Sequence, residues 1–299
     1  MRFSFWPSAS LDWSTLLAQA LAGEAAGWDG MWLADHFMPN TDSGTGEVHE
    51  CLSLLAGLAA TVPRIRLGSL VLGNTYRHPA VVANQARTID DISGGRFVLG
   101  MGAGWQNNEH AKFGIDLPPA PELLRRFGEA LQVLRGLRDE ERATFAGEFY
   151  TITDAPMSPK APGALPILIG GGGEKVMPRI VARWADEWNV WGDPARFDHK
   201  NRLITAACEK IGRDPATVAR STQAVVLLGP DGAAEAGERN ASSPAIGGTV
   251  EQLTDIVGAY ADAGVDELII PSANPRGPAH PEELWSTFIE QIIPNFRSA

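Results

Sequence analysis

Short apolar runs alternate with amphipathic segments along nearly the whole chain, and this alternation limits what it can fold into more than any other feature. Eight runs read as strands: Arg2 to Trp6, Gly30 to Ala34, Ile65 to Leu72, Arg96 to Met101, Pro166 to Ile169, Glu187 to Trp191, Thr222 to Leu228 and Glu267 to Pro271. Between them Leu123, Leu124, Phe127, Leu131 and Leu134 recur at helical spacing, as do Val250, Leu253, Ile256, Val257 and Tyr260, so each segment can cover one face of a sheet. Thr249 and Gln252 open the second as a capping box.

A local repeat points the same way. Ala26-Gly27-Trp28-Asp29-Gly30-Met31-Trp32 and Ala263-Gly264-Val265-Asp266-Glu267-Leu268-Ile269 both run from a helix end through glycine and Asp into an apolar strand. Glycine takes the left-handed conformation that stops a helix. Such alternation implies parallel strands joined by right-handed crossovers. Eight units fit a single α/β domain, a (β/α)8 TIM barrel over residues 1–299; a doubly wound open sheet is the alternative. Insertions are expected near 40–50, 104–121, 144–162 and 230–248. The third of these reads as a hairpin, and the fourth, rich in Gly, Ala, Ser and Glu, as mobile.

Composition narrows the partners. A net charge of −11 disfavours nucleic acid and anionic membranes, which reward clustered Lys and Arg. A small molecule is the expected partner. No run reaches the roughly 20 apolar residues of a membrane helix, and the amino terminus is too short in apolar run for a signal peptide. The chain is expected to be cytoplasmic, with Cys51 and Cys208 as reduced core thiols. Glu47, His49 and Glu50 match no standard zinc spacing, so no metal is expected.

In such a barrel the working residues follow the strands at their carboxyl ends. That rule selects Asp35-His36-Phe37, Gly73 to His78, Gly102-Ala103-Gly104-Trp105 with Asn107, Asn108 and Glu109, the four glycines Gly170 to Gly173, and Trp191-Gly192-Asp193. Four glycines exceed what a tight turn needs. Before a helix starting near Glu174, their bare amides are expected to hold phosphate or another anion. Asp35 and His36 are expected to form a pair in which the carboxylate orients the imidazole for proton transfer, while His78, before Pro79, reads as structural. Gly100-Met101-Gly102-Ala103-Gly104 lacks the third glycine of a dinucleotide fingerprint, which disfavours a Rossmann dehydrogenase.

Taken together, Ala34-Asp35-His36-Phe37, Leu67 to Leu72 leading to Tyr76-Arg77-His78-Pro79-Ala80, Gly100 to Trp105 followed by Glu109, and Ile169 with the glycine loop resemble the bacterial-luciferase-like superfamily. Within it the chain is similar to the branch that uses the deazaflavin F420. The resemblance spans essentially the whole chain. It implies a cofactor ring packed on a bulge after strand three, with a non-proline cis peptide near Leu70-Val71. It places Asp35 and His36 beside the ring, Leu70, Val71 and Gly73 at the bulge, Gly104, Trp105 and Asn108 against ring or ribityl chain, and Gly170, Gly171 and Gly172 at the phosphate. Family homodimers are common.

One position departs from the sugar-phosphate dehydrogenases of that branch. A glutamate there follows the Gly-x-Gly and acts as acid, whereas Trp105 stands here. An apolar or aromatic substrate, bordered by Trp6, Phe37, Trp105 and Trp191, is expected instead. The expected activity is hydride transfer between F420 and a small organic substrate, with His36 and Asp35 as the proton-handling pair. An FMN-dependent monooxygenase of the same fold and a non-catalytic flavin-binding barrel are the alternatives.

Overall fold

The computed structural model describes residues 1–239, 244–272 and 281–297. Eight parallel strands, β1 Arg2–Trp6, β2 Gly30–Leu33, β3 Arg66–Ser69, β4 Phe97–Gly102, β5 Ile167–Gly170, β6 Glu187–Trp191, β7 Ala219–Gln223 and β8 Glu267–Pro271, pair in chain order. β3 pairs with β4 and β8 with β1, so the ladder closes into the expected barrel. Outward-facing Phe3, Phe5, Met31, Leu67, Phe97, Leu99, Ile167, Trp188 and Val190 pack with the surrounding helices in one apolar cluster. Trp32, Leu70, Val98, Leu168 and Ile269 fill the interior as a second one, flanked by Trp6 and Val71. The split follows from the two-residue period of a strand.

Where the strands begin, the interior is ionic. Arg66 donates to Glu267 at 2.7 Å and to Glu187 at 2.5 Å, and Glu267 also accepts from Ser4 Oγ and Trp32 Nε1. Burial alone would push the Glu267 carboxyl up; Arg66, Arg2, Ser4 and Trp32 outweigh it and hold it below its ordinary value. This plug closes the amino-terminal end, leaving the opposite mouth for chemistry.

The helix–glycine–Asp–strand repeat acquires a role. Gly27 ends its helix at φ 101°. Asp29, just before β2, accepts the backbone N–H of Phe3 in β1 at 2.8 Å. Asp266, before β8, takes that of Arg220 in β7 at 2.7 Å, and Asp186, before β6, takes that of Ile167 in β5 at 3.0 Å. Each carboxylate binds the first rungs of the preceding strand, satisfying donors that have no ladder partner.

Two expected strands are broken. The run Ile65 to Leu72 stops at Ser69, passes through a cis Leu70–Val71 bond, and resumes at Leu72–Gly73, opposite Met101 and Gly102 of β4. The run Thr222 to Leu228 divides at Ala224. Its first part belongs to β7, and Val225–Leu228 leaves the barrel to pair in parallel with Ala245–Gly248. The stretch 230–248, expected to be mobile, therefore contributes that strand and a helix, Gly232–Glu238; its residues 240–243 lie outside the described residues. Its glycines serve close packing. A Cβ on Gly232 would stand 1.9 Å from the Leu227 carbonyl oxygen, and one on Gly247 2.1 Å from that of Gly232.

Other insertions are local. Arg142–Ala146 and Thr151–Pro156 form an antiparallel pair, and the segment after β4 carries a short helix, Asn107–Phe113. Both expected helices form, as Ala120–Asp139 and Val250–Asp262, the latter with the Thr249–Gln252 capping box. Cys51 and Cys208 are buried free thiols. Among the described residues no helix is long and apolar enough to cross a membrane.

Candidate active site

At the carboxyl end of β3 the chain bulges where Leu70 meets Val71. Glycines make room for it. A Cβ on Gly100 would meet the Ser69 carbonyl oxygen at 1.9 Å, one on Gly102 would meet Val71 Cγ2 at 2.8 Å, and one on Gly170 the same methyl at 2.9 Å. Ser69 Oγ donates to the Gly100 carbonyl and accepts its N–H, replacing ladder bonds at the bulge. The glycines of two neighbouring strands thus frame one valine.

Asp35 and His36 do not pair with each other. The Asp35 carboxylate is buried and held by Arg77, whose Nη1 and Nη2 donate to Oδ2 and Oδ1, each at 2.8 Å. It also accepts the Gly73 N–H at 3.0 Å, tying the loop after β2 to the far side of the bulge. Arg77 reaches on to Glu50 at 2.6 Å, the residue whose carboxylate caps the helix Cys51–Thr61. Burial would lower the Arg77 guanidinium, but Asp35 and Glu50 outweigh it and raise its proton affinity. Asp35 is a brace. The geometric reason is that neighbours on an extended chain point to opposite sides.

His36 turns toward Glu109. Its Nδ1 lies 2.9 Å from Glu109 Oε1, Phe37 N–H donates to Oε2 at 2.8 Å, and the Tyr76 hydroxyl donates to Oε1. An ionised carboxylate only accepts, so Nδ1 carries hydrogen and Nε2 is the ring nitrogen left to exchange a proton. Glu109 is wholly buried. Burial pushes its carboxyl up; the bonds from His36, Tyr76 and Phe37 overcome this and hold it below the usual carboxylate range. Burial, then the bond to Glu109, pushes the Tyr76 phenol far up, so it stays protonated.

The remaining candidates are spread over the loops that follow the strands. The Trp105 ring, more than half exposed, stands edge-on to His36 at 5.5 Å. Gly104 adopts φ 105°, a conformation that suits glycine, with Thr75 beside it. Asn108 donates to the Pro39 and Thr41 carbonyls at 3.3 and 3.0 Å, bracing the loop after β2. Gly170 to Gly173 form a loop, but the next helix starts at Met177, three residues beyond the expected Glu174, whose carboxylate instead meets Lys200 at 2.5 Å. Trp6 and Trp191 face each other at 5.6 Å, whereas Phe37 packs on Tyr76 and Phe113 at 4.7 and 5.3 Å, away from that pair.

Asn74, Tyr76, Arg77 and Glu109 are among the strand-end positions selected from the sequence, without an assigned role, and acquire partners here; Gln223 enters from outside that set. His78 caps its helix, its Nδ1 accepting the Ala80 N–H. Among the described residues five buried side-chain oxygens have no hydrogen-bond partner, and three of them, Asn74 Oδ1, Asn108 Oδ1 and Gln223 Oε1, belong to segments at this end of the barrel. Such groups are completed in a working protein by water or by what it binds.

A family model described as luciferase-like monooxygenase matches residues 1–244. The chain is 36% identical over 160 residues to the F420-dependent glucose-6-phosphate dehydrogenase of Kineococcus radiotolerans, covering 52% of this chain and 46% of that protein. It is 36% identical over 174 residues to the pyrimidine monooxygenase RutA of Allorhizobium ampelinum, covering 55% and 46%. The chain spans about half the length of these curated relatives. A solved structure of an F420-dependent secondary alcohol dehydrogenase in complex with an F420–acetone adduct superposes with a TM-score of 0.85 at 18% identity, over 99% of both chains. That likeness speaks for the fold.

Proposed function

Because the chain belongs to the luciferase-like monooxygenase family, we propose that it is an F420-dependent oxidoreductase acting on a small, uncharged organic substrate. Bound F420 would supply the hydride donor or acceptor; the protein supplies position, exclusion of water and a proton site. The residues fit such a group. A heterocycle with hydrogen-bonding edges answers the orphaned oxygen of Asn74 beside the Leu70–Val71 bulge.

In this reading Leu70 and Val71 support the ring, and Asp35, itself held by Arg77, fixes the Gly73 backbone behind them by accepting its N–H. Gly104, Trp105 and Asn108 border the ring and its chain. Gly170, Gly171 and Gly172 let phosphate approach the backbone. His36 gives or takes a proton at Nε2, with Glu109 stabilising the charged imidazole and Tyr76 fixing the carboxylate. Trp6, Trp191 and Trp105 enclose the substrate, and Phe37 supports the rim from behind.

The observation that carries the proposal is the His36–Glu109 pair beside a glycine-framed bulge. Titration of the purified protein with F420, following cofactor fluorescence, tests it: micromolar binding with weak FMN binding is expected. The similarity to a pyrimidine monooxygenase favours a second reading, an FMN monooxygenase, which predicts the reverse preference and oxygen consumption. The working assembly is a homodimer, which light scattering tests.

A further inference from the structure

The geometry points to Gln223 as the residue that orients the substrate, and to an uncharged carbonyl compound with an apolar or aromatic ring as the substrate class; this rests on the F420 reading above. Gln223 closes β7, opposite Trp191 of β6 and Ile269 of β8. Trp188 and Val190 of β6 pack outward, so Asn189 and Trp191 face inward, and so do their ladder partners Ser221 and Gln223. Asn189 Nδ2 donates to Ser221 Oγ at 2.9 Å, which closes that layer with a satisfied pair. Gln223 stands one layer higher, at the mouth.

There its amide oxygen has no partner among the described residues. Gln223 is 3% exposed, its Oε1 has no partner, and a buried amide in that state weakens the fold unless something it binds completes it. The place is informative. In the closed order of strands β3 and β7 lie four positions apart in either direction, so the Val71 bulge and Gln223 occupy opposite walls. A ring resting on Val71 shows its free face to Gln223, and Trp6 and Trp191, 5.6 Å apart, stand beside the amide. Two rim cations are already engaged, Arg77 by Asp35 and Glu50, Lys200 by Glu174. The slot suits a flat, uncharged molecule with one polar atom.

A carboxamide can present N–H or oxygen by turning over. Its N–H suits a carbonyl oxygen, where charge gathers during reduction. A hydride from reduced F420 forms a C–H bond at the carbonyl carbon, or at the β carbon of an enone; the π pair moves to oxygen, and one proton completes the product while F420 is oxidised. Run backwards, the same amide receives an alcohol. A donor placed in advance at that oxygen accelerates the step by about 100-fold.

The test compares the wild-type protein with Gln223→Met, of similar volume and without hydrogen bonds. Three readouts are taken: the thermal midpoint, F420 binding by fluorescence, and oxidation of reduced F420 with cyclohex-2-enone and cyclohexanone as probes. The variant is expected to be as stable as wild type or more so, to bind F420 within about twofold, and to lose about 100-fold in kcat/KM, mostly in kcat. A lower midpoint would show that the amide serves the fold, and weaker F420 binding that it holds cofactor; either overturns the proposal. So does unchanged kcat/KM. Wild-type protein that binds F420 but reduces neither probe overturns the substrate class alone, whereas failure to bind F420 overturns the function on which the inference rests.

Discussion

Nδ1 of His36 stands 2.9 Å from Oε1 of Glu109, a contact across 73 residues that joins the end of β2 to the helix after β4. It fixes the orientation of the imidazole, whose side chain stays 27% exposed. His36→Ala is therefore expected to lower turnover by about 10²–10⁴-fold, the usual contribution of a positioned acid or base, while the thermal midpoint changes little. Steady-state rates beside a melting curve separate the two; turnover equal to wild type would remove His36 from the mechanism.

Glu109 gives a pH signature. Its folded-state value lies below its ordinary 4.5, so its contribution to stability is complete above that ordinary value and disappears as pH falls through the lower folded value. The gap in thermal midpoint between wild type and Glu109→Gln should be widest above the ordinary carboxylate value and close as pH falls below it. A gap that stays constant would mean that the charge is not its source.

Arg77 leaves a buried anion behind when it is removed. Asp35 is 1% exposed in its side chain, so Arg77→Ala should destabilise the protein by about 3–5 kcal/mol in urea unfolding. Adding Asp35→Asn to that variant should recover part of the loss, because the uncompensated charge goes with it. Additive losses would contradict the pairing.

Gly102→Ala places a methyl group 2.8 Å from Val71 Cγ2. The fold should survive, since the obstacle is a side chain, but F420 binding should weaken by at least about tenfold as the bulge shifts, and Val71→Ala in the same chain should restore it. Gly100→Ala faces a backbone oxygen at 1.9 Å and should fail to fold. Fluorescence titration and circular dichroism read the two cases.

The fold was legible because its strands carry their signal locally. β1, β6 and β8 coincide with their apolar runs, whereas the breaks at Leu70–Val71 and Ala224 are matters of backbone direction that hydrophobicity does not register. The site was legible as positions and less so as partners. Asp35 and His36 are adjacent in the chain and therefore point apart, and their partners, Arg77 and Glu109, lie 42 and 73 residues on. Gln223 gave no signal, since glutamine in a strand ordinarily faces water.

The carboxylates of Asp29, Asp186 and Asp266 bear on how the chain finds this shape. They span 26, 19 and 46 residues, short distances beside the closure of β8 onto β1 at Glu267 and Arg2. Neighbouring strands can thus be fastened at their lower ends while the ring is still open, and the slow, entropically costly event is postponed to one last join. The three carboxylates are clasps whose short spans let them close before the barrel does.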